Sequence, residues 1–247
     1  MALSKAEQLR RLYDEYAGQR QGLEVVTGSG DPDSRIMLIG EAPGKQEVLE
    51  GKPFVGKAGR ILDDFFACLA IKRDEVYITN AIKYRLEKPG RRSYSRVNRP
   101  AKRQEILADS FCLLEEIRII HPLLLVTLGN VALTAISNLF FAKSAKKEIL
   151  HIGETHGRLM GFRAGVSDDS RAVFSECVAD PYGLSREGEE LPENDTGLFP
   201  LYHPASIIYN RSLERVYRED LARLCGILPD MFRTGDPTGY WRNVTVL

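Results

Sequence analysis

The residues of this chain that could do chemistry fall where short apolar runs end. The run from Arg35 (RIMLIG) gives way to Gly40-Glu41-Ala42-Pro43-Gly44. Two glycines and a proline in five residues make a tight turn that leaves backbone N–H groups free. The carboxylate of Glu41 sits in the middle of this turn, which does not need it, so it is a candidate to act on a reacting centre. A second Gly-rich loop, Gly51 to Gly59 (GKPFVGKAG), leads into a helical pattern. It has neither the GxxxxGK[ST] spacing of a P-loop nor the GxGxxG of a dinucleotide site. Free N–H groups at a helix start suit a phosphate or a carbonyl, although either loop alone is also accounted for as a turn. Asn80 ends the run VYITN, where its amide, both donor and acceptor, can pair with a base edge or simply cap the strand. His203 stands in Tyr202-His203-Pro204-Ala205-Ser206 after a fourth apolar run. A lone histidine is more often packed than catalytic. His121, His151 and His156 have no comparable placement and read as structural, and no Cys or carboxylate cluster turns His151 and His156 into a metal site.

These residues need a scaffold, and the chain supplies one by alternation. Strand candidates at 35–40, 76–82, 123–129 and 198–204 are separated by helical patterns at 58–69, 102–120 and 130–140, and a helix at 211–228 closes the chain. Continuous apolar strands alternating with helices predict an α/β fold, a three-layer α/β/α sandwich around a four-stranded, mostly parallel sheet. Ligands bind such sheets at the carboxyl ends of the strands, where Glu41, Asn80 and His203 lie. The first residues predict an amphipathic helix with Leu9, Leu12, Tyr13 and Tyr16 on one face. His121-Pro122 predicts the end of the longest helix. Residues 1–247 read as one domain, with a basic loop at about 84–100 and an acidic insertion at about 163–197; the pattern loosens between Gly153 and Thr196, where RLMGF and RAVFSEC are short strand candidates.

Composition sets few limits. The 247 residues are 43% hydrophobic and 28% charged, with zero net charge, as in an ordinary soluble domain. No apolar run reaches the roughly 20 residues that span a bilayer, and nothing resembles a signal peptide, so a cytoplasmic monomer is expected. The neutral total hides a basic segment from Lys83 to Arg103, broken only by Glu87, and an acidic one from Asp168 to Asp195. Cys68, Cys112, Cys177 and Cys225 are far apart among apolar neighbours, and read as small buried hydrophobes.

The specific signal is the order of the motifs. GEAPG after strand one, PFVGKAG before the helix at 58–69, Thr79-Asn80 at the end of strand two and HPAS at the end of strand four together resemble family 4 of the uracil-DNA glycosylase superfamily, over about residues 34–136 and 198–225. The resemblance implies a DNA repair enzyme of base excision that hydrolyses the N-glycosidic bond of uracil in DNA. It would leave an abasic site; this chain is expected to do so with no lyase step, no cofactor and no metal. Glu41 would position the attacking water and offset positive charge on the sugar. Phe54 would stack on the flipped uracil, and Asn80 would read its Watson–Crick edge. Glu47 would stand near C5 against thymine's methyl, and His203 would stabilise the leaving base. Gly40, Ala42 and Gly44 would line the base site through the turn's backbone, and Gly56 and Lys57 would meet phosphate. Ser206 and Ile207 fall at the DNA face, where Ile207 and Ile208 would either wedge into the helix or cover the final helix.

The chain also departs from that family. Family 4 enzymes typically hold an iron–sulfur cluster on four cysteines, two near the N-terminus, one after TNxxK and one in the following helix. Here YAGQRQGLEVVTGSG (Tyr16 to Gly30) has no cysteine, Tyr84 follows Lys83, and Asp109 takes the helix position with Cys112 three residues on. One cysteine cannot hold such a cluster, so none is expected. The basic loop EKPGRRSYSRVNRP stands where most members have a short PPGNR-like turn. A related branch that cross-links itself to DNA has GEQPG and a histidine in this loop. This chain has GEAPG and no histidine there, and Tyr94 is the nearest nucleophile. Phosphate contacts by Arg91, Arg92 and Arg96 are the expected use, giving salt-dependent, sequence-independent affinity. Two other functions stay open: excision of hypoxanthine or xanthine, and silent binding of damaged or single-stranded DNA. The joint presence of Glu41, Asn80 and His203 favours uracil.

Overall fold

A computed structural model of the chain describes residues 2–92, 95–140, 150–162 and 196–233. Tyr94, Cys177, the strand candidate RAVFSEC and nearly all of the acidic insertion lie outside the described residues. Strands β1 (Ile36–Gly40), β2 (Tyr77–Asn80), β5 (Leu124–Leu128) and β7 (Thr196–Leu201) form the expected parallel sheet, and β6 (Met160–Phe162) adds an antiparallel edge strand beside β7. The order is β2-β1-β5-β7-β6. The chain leaves β1 for β2 on one side and later returns to β5 on the other, so the switch point lies at the ends of β1 and β5.

Each parallel strand is buried along its whole length, and its alternate side chains face opposite layers. Met37, Ile39, Leu125 and Leu198 pack with α1 (Lys5–Gln19), α4 (Arg103–Ile120) and α5 (Asn130–Phe140). Ile36, Leu38, Val126 and Phe199 pack with α3 (Lys57–Leu69), α7 (Pro204–Tyr209) and α8 (Ser212–Arg233). Each fully buried Leu, Ile or Phe contributes about 1.5–3 kcal/mol, so the two apolar layers hold the strand ends rigidly. Two short helices, α2 (Lys45–Glu50) and α6 (Ile152–Thr155), are the other α-helices among the described residues. Ser4 and Glu7 form a capping box at the start of α1, and His121 ends α4 with φ 55° before Pro122.

A polar knot ties α1 to the sheet and α4. Lys83 and Glu116, both fully buried, pair at 2.6 Å, and Thr79 donates to Glu116 at 2.8 Å. Tyr13 of α1 bonds both Glu116 and Tyr77, and Lys83 donates to the carbonyl of Asn80. Nearby, fully buried Asp109 accepts from Tyr16 (2.6 Å) and Arg20 (2.8 Å). Residues 25–29 then run antiparallel beside β2 and the residues after it.

Two expectations need correction. The basic stretch is not merely a loop: β3 (Glu87–Pro89) and β4 (Arg96–Asn98) form an antiparallel hairpin. Their residues are mostly polar or charged and largely exposed, so no apolar alternation announces them. The strand reading of RLMGF, by contrast, matches β6 at the sheet edge. The cysteines are not all buried hydrophobes. Cys112 is free and buried, but Cys68 is exposed on α3 and bonded to half-buried Cys225 of α8, 157 residues away. The helix packing of α3 on α8 brings them together.

Candidate active site

The site forms at the carboxyl ends of β1, β2 and β7. Gly40 and Asn80 are register partners in the parallel β1–β2 pair, so the GEAPG turn starts beside the Asn80 side chain. The N–H groups of Ala81 and Ile82 donate to the carbonyls of Gly40 (2.8 Å) and Glu41 (3.0 Å), which fixes the turn on the end of β2. A Cβ at Gly40 would fall 2.3 Å from the Phe54 ring and 2.4 Å from Asn80 Oδ1. Gly40 is therefore glycine because an aromatic face and an amide converge over it. The His203 ring lies 6.0 Å from that of Phe54, centroid to centroid, with 32° between the planes.

Each expected residue has a definite setting. His203 caps α7, and its Nδ1 accepts the Ala205 N–H at 3.1 Å. That bond leaves the proton on Nε2. Some of the residue's surface is exposed, yet the protein packed around the imidazole pushes its pKa down to about 4. His203 is thus a neutral Nε2–H donor near pH 7, suited to a developing anion. A Cβ at Gly129, after β5, would meet His203 Cβ at 2.9 Å, and Gly129 has φ +88°. His156, read as structural, pairs with Asp220 at 2.7 Å and lies 4.7 Å from the Tyr202 ring, buttressing the strand end that carries His203.

Glu41 is partly buried, and this burial raises its pKa, opposed by the Ala101 N–H donating to Oε1 at 2.9 Å. Ala101 stands just after the basic hairpin, a contact invisible to motif reading. Glu47, on α2, accepts the Gly56 N–H at 3.0 Å and lies against Gly44. It bridges the two glycine loops, and the Gly56 amide, expected to be free for phosphate, is occupied. Ala42 and Gly44 are partly exposed and Lys57 is exposed.

The DNA-facing expectations divide. Arg91 and Arg92 are exposed at the hairpin tip. Arg96 is more than half exposed and pairs loosely with Glu87 at 3.4 Å. Arg85 also pairs with Glu87 (3.0 Å), Arg99 with Glu105 and Lys83 with Glu116, so much of the basic run is structural. Ser206 is partly exposed. Ile207 is 7% exposed and packed in the second core layer, so it covers α8 rather than wedging into DNA. Ile208 (44% exposed) and Tyr209 (90%) are the outward pair. Tyr209 was missed because an exposed aromatic is indistinguishable by type from a core one.

The residues at two family 4 cluster positions do not suit iron–sulfur chemistry. Asp109 is engaged by Tyr16 and Arg20, and Tyr84, lying against Asp109, has its pKa pushed up to about 12, mainly by burial. The Cys112 thiol is likewise pushed up by burial. Among the described residues no group of three or more His, Cys, Asp or Glu could hold a metal. None of their helices is long and apolar enough to cross a membrane.

A three-layer α/β fold with a carboxylate turn, an aromatic–amide pair and a neutral imidazole donor at the sheet's carboxyl edge defines a class. The chain belongs to the uracil DNA glycosylase superfamily, whose family model matches residues 27–224. It is 32% identical over 201 residues to the type-4 uracil-DNA glycosylase of Saccharolobus solfataricus, covering 81% of this chain and 74% of that protein. The type-4 enzyme of Pyrobaculum aerophilum is 27% identical over 227 residues, covering 92% and 94%. That of Archaeoglobus fulgidus is 29% identical over 204 residues, covering 81% and 82%.

Proposed function

We propose that this chain is a uracil-DNA glycosylase that hydrolyses the N-glycosidic bond of deoxyuridine and leaves an abasic site. The observation that carries the reading is the convergence over Gly40 of the Phe54 ring and the Asn80 amide, with the His203 ring 6.0 Å from Phe54. A flat base stacked on Phe54 turns its edge to Asn80, whose amide offers it an acceptor and a donor. Uracil matches that pairing, and cytosine, with donor and acceptor exchanged, does not.

Bond breaking moves electron density from the C1′–N1 bond onto the base and leaves oxocarbenium character on the sugar. The neutral Nε2–H of His203 donates to the base oxygen as charge grows there. Glu41, held by Ala101, orients the water that adds to C1′ and offsets the sugar's positive charge. The water gives up a proton to solvent by way of Glu41 as it adds to C1′, and uracil, leaving as its anion, takes one up, so the hydrolysis balances. Glu47 keeps the two glycine loops in register and stands where a C5 substituent would fall. Arg91, Arg92, Arg96 and Lys57 contact phosphates, and Ile208 and Tyr209 face the gap left by the flipped base. The protein acts as a monomer in the cytoplasm, which size-exclusion chromatography and cell fractionation check.

The test is a substrate panel. Oligonucleotides containing uracil, thymine, hypoxanthine or xanthine, single- and double-stranded, are incubated with enzyme and then alkali. Cleavage at uracil only supports the reading. Cleavage at hypoxanthine or xanthine but not uracil overturns the base assignment. Tight DNA binding with no cleavage of any strand makes the protein a binder.

A further inference from the structure

Phe54 is one of the few non-glycine residues with positive φ, at 56°. Left-handed backbone costs an L-residue with a bulky side chain on the order of 1–2 kcal/mol. It persists only where the surroundings over-determine it. The relative direction of the Pro53 and Phe54 carbonyls is set by φ and ψ of Phe54 itself, since that residue lies between the two peptide planes. In extended chain such carbonyls point to opposite sides. Here both accept from one Arg73 nitrogen, Nη2, at 2.7 Å and 2.9 Å. A single donor thus grips both planes and fixes the torsions between them.

The rest of the surroundings fits a built clamp. Arg73 opens the short 3-10 turn Arg73–Glu75 immediately before β2, so the residue that grips Phe54 shares a rigid connection with Asn80. Its guanidinium lies 5.6 Å from the Phe66 ring on α3, which holds it from behind. On the other side, the Phe54 carbonyl would be 1.8 Å from a Cβ at Gly59, so α3 packs directly on the gripped peptide. The ring that emerges is the one that meets Asn80 over Gly40.

We propose that Arg73 is a positioning residue: it locks the left-handed Phe54 backbone so that the ring faces the base site. The inference rests on the reading of Phe54 as the base-stacking residue. Arg73 itself reaches no reacting atom.

The experiment is a double-mutant cycle in uracil excision, together with the affinity for free uracil measured as product inhibition. Arg73→Gln removes the two-carbonyl grip, and Arg73→Lys keeps the charge on a shorter, single-point donor. Phe54→Gly removes the ring and accepts φ > 0 without a clamp. Misplacing a substrate-holding group by about 1 Å costs up to roughly a hundredfold. Arg73→Gln is expected to lower kcat/KM about tenfold or more and to weaken free-uracil affinity in parallel, with Arg73→Lys intermediate. In the Phe54→Gly background, Arg73→Gln is expected to cost less than twofold. Circular dichroism confirms that each variant is folded at the assay temperature. Should Arg73→Gln unfold, the same cycle is read with Arg73→Lys.

Wild-type excision and uracil affinity in Arg73→Gln and Arg73→Lys, with Phe54→Gly impaired, would overturn the proposal alone. So would an undiminished Arg73 effect in the Phe54→Gly background, which would make it a general structural contact. A Phe54→Gly variant as active as wild type would overturn the reading of Phe54, and the proposal with it.

Discussion

Lys83→Met tests whether the buried polar knot carries the load the geometry assigns to it. Lys83 and Glu116 have fully buried side chains 2.6 Å apart. At an effective dielectric of about 20, their gross attraction is about 6 kcal/mol, most of it offset by desolvation of both ions. Removing the lysine alone leaves the carboxylate buried with only hydroxyl donors, from Tyr13 and Thr79. Orphaning one member of a buried pair costs about 3–5 kcal/mol. The two hydroxyls favour the lower end, so about 3 kcal/mol is expected, a fall in Tm of about 6–12 °C for a domain of this size. Lys83→Met/Glu116→Gln removes both charges and keeps a hydrogen-bonding group, and should lie within about 1 kcal/mol of wild type. Lys83 also donates to the Asn80 carbonyl. At temperatures where both variants are folded, each should therefore show a raised KM for uracil-containing DNA. Urea denaturation of wild type, Lys83→Met, Glu116→Gln and the double variant gives the cycle. A Lys83→Met loss under 1 kcal/mol, or additive effects in the double variant, would refute the reasoning.

Three further outcomes follow from the same geometry. His203, neutral down to about pH 4, should leave kcat free of an imidazole-dependent change between pH 7.5 and 5, with its loss centred near pH 4. Below 6.5 the unfolded chain takes up a proton that native His203 refuses. Native stability therefore declines from pH 6.5 towards 4, by about 3 kcal/mol at about 1.4 kcal/mol per pH unit, and His203→Asn should flatten that slope in urea titrations at pH 7 and 4.5. Arg91→Ala/Arg92→Ala should weaken binding to all sequences alike and reduce the slope of log affinity against log salt by roughly 1.4 on single strands; an unchanged slope would remove the hairpin tip from the DNA contact. Cys68 and Cys225 should resist alkylation in denaturant until reductant is added, and Cys68→Ser should make Tm insensitive to reductant. Closing 157 residues of chain corresponds to about 5 kcal/mol in the chain-entropy treatment. Alkylation of Cys68 and Cys225 themselves in denaturant without reductant would contradict the bond.

The sheet was legible because its strands are buried on both faces, so RIMLIG, VYITN and LLLVTL read as continuous apolar runs, and Glu41, Asn80 and His203 follow directly at their ends. The hairpin was not, because EKP and RVN are three-residue exposed strands held by main-chain bonds and an Arg85–Glu87 pair rather than by a buried face. Lys83 lies in a run of cations and looks like any of them, and only Glu116, one turn-rich segment and most of a helix later, explains its burial. Arg73 donates to main-chain carbonyls far along the sequence and Ala101 donates its own main-chain N–H to Glu41, and side-chain type carries no signal for either contact. Ile207 and Ile208 are identical by type and adjacent, and only the helical rotation of α7 decides which of them faces the core.

The most direct test of the account is single-turnover excision from a uracil-containing oligonucleotide by wild type, Glu41→Gln and His203→Ala, with DNA binding measured in parallel. The account predicts alkali-labile sites with wild type, a fall of at least a hundredfold in both variants, and DNA affinity within a few-fold of wild type in each. Excision at the wild-type rate in Glu41→Gln and His203→Ala, or no excision by wild type, would contradict it.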